Sequence, residues 1–207
     1  MTRTGVVAAP RCGLADQEAG SEFERARRLA EERALVESAR QGSRAAFESL
    51  YRNHVRKVYG LCLRMTATVA TAEDCTQEAF IQAWRSLPGF ENRSAFGTWL
   101  HRIAVNAVLA QGRRRRERLG ADASVEDEAV GLADPTVGDD GAMLDLEQAI
   151  RRLPAGARQV LVLVGLYGHS HEDAAAMLGI AVGTCKSQLH RARQLLGEQL
   201  AAQEVVP

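Results

Sequence analysis

The stretch "GIAVGTCKSQLHRAR" (179–193) carries Lys186, His190, Arg191 and Arg193 on one short segment, a spacing suited to holding a polyanion. At about 100° per residue, Cys185, Leu189, Ala192 and Leu196 share one helical stripe, while Ser187, His190, Arg191 and Gln194 face the other way. One side packs; the other is polar and basic. Thr184 is placed to cap this helix after a turn at Gly179. Just upstream, "SHEDAAAMLG" offers Ser170 as a cap with Asp173 three residues on. Two short helices about a glycine turn predict a helix-turn-helix, the element that lays a helix in the major groove of DNA.

Two further constellations could bind. In "TAEDCTQEAFIQAWRSL" the residues Asp74, Glu78, Ile81 and Arg85 fall on one stripe with Gln77 beside it, opposite the small Ala72, Thr76, Ala79 and Ala83. That stripe is either a dock for a basic partner or an ordinary solvated face. In "SAFGTWLHRIAVNAVLAQGRRRR" the residues Phe96, Trp99, Leu100, Ile103, Ala104 and Ala107 keep an i, i+3, i+4, i+7 pattern. Core packing explains most of it. Phe90, Asn92, Arg93 and Trp99 also suit a single-strand platform, on which rings stack against unpaired bases while Arg102 and Arg113, Arg114, Arg115 and Arg116 hold phosphates.

These residues must be carried by helices. Apolar residues recur at helical spacing over 22–40, 43–65, 71–86 and from 94 into the arginine run. After "GADASVEDEAVGLADPTVGDDGA", which holds seven carboxylates and no cation, helices are expected over 143–153 and from Pro154 at an N1 position to a stop at Gly168. The run "VLVLV" (160–164) would pass for a buried strand on propensity alone; its neighbours make it helical. The expected fold is all-α: a tail over 1–21, a helical domain over 22–118, an acidic flexible linker over 119–142, a helix-turn-helix domain over 143–200 and a tail over 201–207. The 23 residues from Gly120 to Ala142 reach about 75 Å when extended, enough to hold the domains about two turns of DNA from each other.

Bulk properties narrow the class. The 207 residues are 46% hydrophobic, and 26 cations balance 26 anions, so the basic footprint is local and not global. Cys12, Cys62, Cys75 and Cys185 form no C-x-x-C pair, which argues against a disulfide framework or structural zinc and fits a reducing cytoplasm. His169, His171 and Cys185 could be imagined as ligands, but surface histidines and a buried thiol explain them, and no metal or cofactor is assigned. The N-terminal apolar run is too short for a signal peptide, and no stretch reaches the ~20 apolar residues of a membrane span, so no membrane insertion is expected. No nucleophile elbow or phosphate loop marks an enzyme.

The combination resembles a bacterial sigma factor of the extracytoplasmic-function group. "AAFESLYRNHVRKVYGLCLRM", "AEDCTQEAFIQAW", "FGTWLHRIAVNAVL" and the arginine run resemble region 2; "LPAGARQVLVLVGLYGHSHEDAAAMLGIAVGTCKSQLHRAR" resembles region 4. The resemblance implies a non-enzymatic transcription initiation factor. Its partners would be core RNA polymerase, through the β′ clamp helices and the β flap, promoter DNA, and an anti-sigma factor. Asp74, Gln77, Glu78, Ile81 and Arg85 would then dock on polymerase. The segment from Phe90 to Asn106 would engage the melted minus-ten element, with Asn106 joining the platform residues. Ser187, Gln188, His190 and Arg191 would face the minus-thirty-five major groove, with Thr184, Lys186 and Arg193 mainly on phosphates. The sequence departs from the family at Ala110, Ala174, Cys185 and Gln188; the last is the favoured specificity residue, since its amide can read adenine. A stand-alone helix-turn-helix regulator with an N-terminal sensor is the alternative.

Overall fold

The computed structural model describes residues 14–119 and 141–203, except for the side chains of 14–23, 116, 119, 141–145 and 202–203. Cys12, most of the acidic linker, the outermost residues of both expected tails and the Arg116 side chain lie outside the described residues. Among the described residues every regular element is helical.

The chain divides into one unit ending at Leu50 and another beginning at Tyr51. In the first, α1 runs Leu14–Arg40, so it starts inside the stretch expected as a tail. Its last turns bury Val36 and Ala39, and the chain then reverses at Gly42, whose φ of 95° suits glycine. Ser43 opens α2 (Arg44–Thr66) by accepting the Ala46 amide at 3.2 Å.

In the second unit, the remainder of α2 buries Val58, Leu61, Cys62 and Met65. The helix α3 (Val69–Ser86) packs principally on α4 (Phe96–Leu119), and a 3₁₀ turn at Leu87–Gly89 begins the connection. Small residues make the approach possible: Ala72, Ala79 and Ala83 of α3 and Ala104 of α4 are all 0% exposed. Phe96, Leu100, Val105 and Val108 fill the rest of that core. The stripe expected to pack on α3 is the buried one.

The helix-turn-helix region begins with α5 (Gly141–Arg152) and α6 (Ala155–Val160). Pro154 is the N-cap of α6, one position before the expected N1, with ψ at 142° and its carbonyl accepting from Arg158. The "VLVLV" run stays helical but widens to a π turn over Leu161–Leu166, closed by the Tyr167 amide on the Val162 carbonyl five residues back. Val160, Leu161, Val162 and Leu163 are buried, so packing on all sides overrides strand propensity.

Ser170 caps α7 (His171–Leu178) as expected: its hydroxyl accepts the Asp173 amide at 3.0 Å and donates to the Asp173 carboxylate at 2.9 Å. Gly179 ends α7 in the left-handed region at φ 68°. The helix α8 spans Val182–Gln203 and buries Cys185, Leu189 and Ala192. Thr184 is not its cap: the Cys185 amide already bonds to the Ala181 carbonyl, which places Thr184 inside the first turn.

Replacing Ser170 by Ala removes one cap bond, and we expect a stability loss of about 1 kcal/mol. A denaturant titration reads it; an unmoved midpoint would mean the Asp173 amide is satisfied without the hydroxyl.

Candidate nucleic-acid and protein interface

Antiparallel packing of α3 on α4 leaves a groove of about 340 Å³ where the arginine-rich end of α4 passes the first turns of α3. Asp74, Gln77, Glu78 and Ile81 line one wall, with Cys75 at its base; Ala107, Gln111 and Arg114 line the other. Four of the five residues expected to dock are therefore brought together, and Arg85 is exposed further along α3. Ile81 is 38% exposed, an apolar group within an acidic rim. Glu78 is half-buried and accepts a 2.7 Å bond from Gln82, which fixes its carboxylate. Gln111 and Arg114 are additions to the expected set. Their spacing from Ala107, i+4 and i+7, is the available signal, obscured when the arginines are read as one phosphate-binding run.

The other exposed face of α4 bears Arg102, Asn106 and Arg113, which fall on one stripe with the half-buried Trp99. Phe90 differs from its expected role. It is only 5% exposed, its ring 4.7 Å from Trp99 and 6.2 Å from Phe96, so it supports Trp99 from beneath and presents no face to a base. Between Phe90 and α4, Glu91, Asn92 and Arg93 are exposed, and Asn92 takes the left-handed φ of 55° that Asn tolerates better than most residues. Arg93 pairs with Glu91 at 2.6 Å on the open surface. Such a pair is worth little in water and leaves the guanidinium available to a competing phosphate. Arg115 is exposed as well.

On α8, Thr184, Lys186, Ser187, His190, Arg191 and Arg193 are all exposed, as a surface laid against DNA requires. Gln188 is the exception. It is half-buried, with its amide against Gly156 of α6, where a Cβ would stand 3.7 Å away. The reason is angular: Gln188 sits about 60° from Cys185 around the helix, so it flanks the packed stripe and does not oppose it.

The three described cysteines are buried and free. Burial pushes the Cys62 thiol up to about 11 against a weaker opposing bond from Thr76. Burial, then Cys62, Asp74 and Glu78, push Cys75 to about 12. Neither is a thiolate near neutral pH, so both behave as packing residues. Cys185 lies 3.6 Å from His171 Nδ1, and His169 stacks elsewhere, on His101.

A contact that no local pattern signals joins α2 and α4 to the helix-turn-helix region. Arg64 donates to Glu147 Oε1 from Nε at 2.9 Å and from Nη2 at 2.6 Å. Arg158, 6% exposed, donates from Nε to the Met65 carbonyl at 3.2 Å and from Nη1 to the carbonyls of Arg151 and Leu153. The His101 ring lies 4.7 Å from Tyr167 and 5.0 Å from His169, and neither of its buried nitrogens has a hydrogen-bond partner. Burial, then the neighbouring His169, pull His101 down to about 4, so the packed state holds it neutral. Free imidazole gains its proton below about pH 6.5, so this packing should weaken as pH falls from there toward 4. Hydrogen exchange at the α4 and α7 amides reads the loss. A His101→Phe variant should flatten the dependence, and an unchanged slope would move it to other groups.

Residues 50–118 match the family described as Sigma-70 region 2, and residues 143–196 match Sigma-70, region 4. The RNA polymerase sigma-H factor of Pseudomonas aeruginosa is 36% identical over 180 residues, spanning 80% of this chain and 92% of that protein. The ECF RNA polymerase sigma factor SigW of Bacillus subtilis is 34% identical over 176 residues, spanning 80% and 94%. Among solved structures, the sigma factor RpoE in complex with the anti-sigma factor NepR from Bartonella quintana matches with a TM-score of 0.57 at 30% identity, covering 75% of this chain and 96% of that one. CnrH in complex with the cytosolic domain of CnrY matches with a TM-score of 0.53 at 27% identity, covering 83% and 98%.

Proposed function

The chain belongs to the extracytoplasmic-function sigma factors, which direct core RNA polymerase to promoters, and from that premise we propose how its surfaces divide the work. The groove between α3 and α4 docks polymerase. The observation that carries this is the gathering of Asp74, Gln77, Glu78 and Ile81 on one wall: an acidic rim with an apolar centre fits a helical partner that is basic at its edges, as proposed for the β′ clamp helices. Arg114 on the facing wall extends the dock. Arg85 joins it from the exposed end of the stripe.

The domain over 22–118 carries this dock and the minus-ten surface, and the domain over 143–200 carries the minus-thirty-five surface and the contact to the β flap. Asn92 and Arg93 in the loop, with Trp99, Arg102, Asn106 and Arg113 on the outer stripe of α4, hold the melted minus-ten strand; Arg115 and Arg116 add phosphate contacts, and Phe90 positions Trp99. On α8, Ser187, His190 and Arg191 face the bases, with Thr184, Lys186 and Arg193 on phosphates. Gln188 reaches the groove edge only by leaving Gly156, which makes it a secondary reader. The chain acts without catalytic groups of its own, in the bacterial cytoplasm where polymerase works. An anti-sigma factor, as accompanies the sigma factor RpoE of Bartonella quintana, is a further partner.

Reversing the rim as Asp74→Lys/Glu78→Lys should weaken binding to core polymerase at least ten-fold, about 1.4 kcal/mol, with the helix content unchanged. Titration against core polymerase measures it, and wild-type affinity would remove the groove from the docking surface. Asn92→Ala/Arg93→Ala should cut transcription from duplex promoters more than from templates with a pre-opened bubble. Equal losses on both would place the defect in docking or folding instead.

A further inference from the structure

His54 of α2 belongs to none of the surfaces above, yet its ring is buried, 9% exposed, and set against the start of α4. The ring centroid lies 5.3 Å from that of Phe96, edge to face at 66°. Phe96, itself 3% exposed, lies 5.6 Å from Trp99 and 6.2 Å from Phe90. These rings make a line of contact that leads from the core to the half-buried Trp99, where the outer stripe of α4 begins. Gly97 shows how close the fit is. A Cβ there would stand 3.2 Å from His54 Cε1 and 3.6 Å from Nδ1, so the ring occupies the space a side chain would take. Gly97 is not in the left-handed region, and helix propensity favours alanine over glycine, so neither backbone conformation nor α4 itself calls for glycine here. The approach of His54 does.

We propose that His54 is a positioning residue for capture of the melted minus-ten strand: its ring, seated on Gly97, sets the first turn of α4 and holds Phe96, which with Phe90 presents Trp99 to an unpaired base. The proposal rests on the assignment of Trp99 to that strand made above. Its physical basis is the conformational freedom that a side chain gives up when a base stacks on it. A tryptophan free to change rotamer must be ordered at each encounter. Trp99, 4.7 Å from Phe90 and 5.6 Å from Phe96, is ordered beforehand, and His54 fixes the second of those rings from the side away from the strand. The effect is local to strand capture. The docking groove lies at the other end of α4, along Ala107, Gln111 and Arg114, and shares no residue with this line of rings.

The test uses the full chain assembled with core polymerase, and as probe the single-stranded non-template minus-ten strand of a promoter that the wild-type holoenzyme transcribes. His54→Ala should weaken probe binding about five-fold, with core-polymerase affinity and helix content unchanged. Gly97→Ala should weaken it in the same direction, because the added methyl displaces the ring. In the His54→Ala background Gly97→Ala should have no further effect, since the atoms it would meet are gone. Equal losses from Gly97→Ala in both backgrounds overturn the seating of the ring. A spectroscopic measurement follows Trp99 itself: in a Trp84→Phe background it is the one remaining tryptophan, and iodide should quench it more in His54→Ala than in the His54 parent. Unchanged quenching overturns the positioning of Trp99. Polymerase affinity that falls in step with probe binding would make His54 a general core residue and overturns it too. Trp99→Ala separates the proposal from the reading beneath it. Wild-type probe affinity in Trp99→Ala removes the strand assignment and the proposal with it, whereas a loss there beside wild-type affinity in His54→Ala overturns the positioning role alone.

Discussion

The close approach of α3 to α4 is the constraint on which the rest depends. Ala72, Ala79 and Ala83 on α3 and Ala104 on α4, all fully buried, let the two backbones come near, and what the helices carry on their remaining faces then sets the surfaces. Facing outward together at one end, they form the groove with Asp74 and Glu78 opposite Arg114. At the other end, the connection must turn sharply, which fixes Phe90 beneath Trp99 and lifts Asn92 and Arg93 into solvent. A larger residue at Ala79 or Ala104 would force the helices apart and disturb dock and loop together. The groove and the loop proposed for polymerase docking and strand capture thus depend on one seam of methyl groups.

Much of this is legible because helices write their faces into the sequence. The separation of Asp74, Glu78, Ile81 and Arg85 from Ala72, Thr76, Ala79 and Ala83 is a 3.6-residue pattern, and the structure buries the second set. Ser170 and Gly179 mark the limits of α7 through hydrogen-bonding capacity and backbone freedom. The positions that differ from expectation have equally local causes. Thr184 is a good cap by type, but the Ala181 carbonyl starts the helix earlier. Gln188 reads as a groove residue because it is polar, whereas its angle sets it beside the packed stripe. Phe90 lies in a loop, where no periodicity tells a buried ring from an exposed one.

The contacts between Arg64 and Glu147, and between Arg158 and Met65, join residues more than eighty positions apart in sequence. Nothing in either neighbourhood marks them, since an arginine on a helix is ordinarily a solvated residue. Their burial changes what the chain is physically. A shielded ion pair and a guanidinium on two helix ends fix the end of α2 against α5 and α6.

On the proposed division of surfaces, one chain reads two separated promoter elements, with α8 and with the loop and outer stripe of α4. Photo-crosslinking from residues 92 and 187 to promoter DNA in the assembled polymerase complex tests it most directly. The group at residue 92 should label the non-template strand in the minus-ten element, and the group at residue 187 the major groove of the minus-thirty-five element, about 25 base pairs upstream. Labelling of a single element by both positions would contradict it.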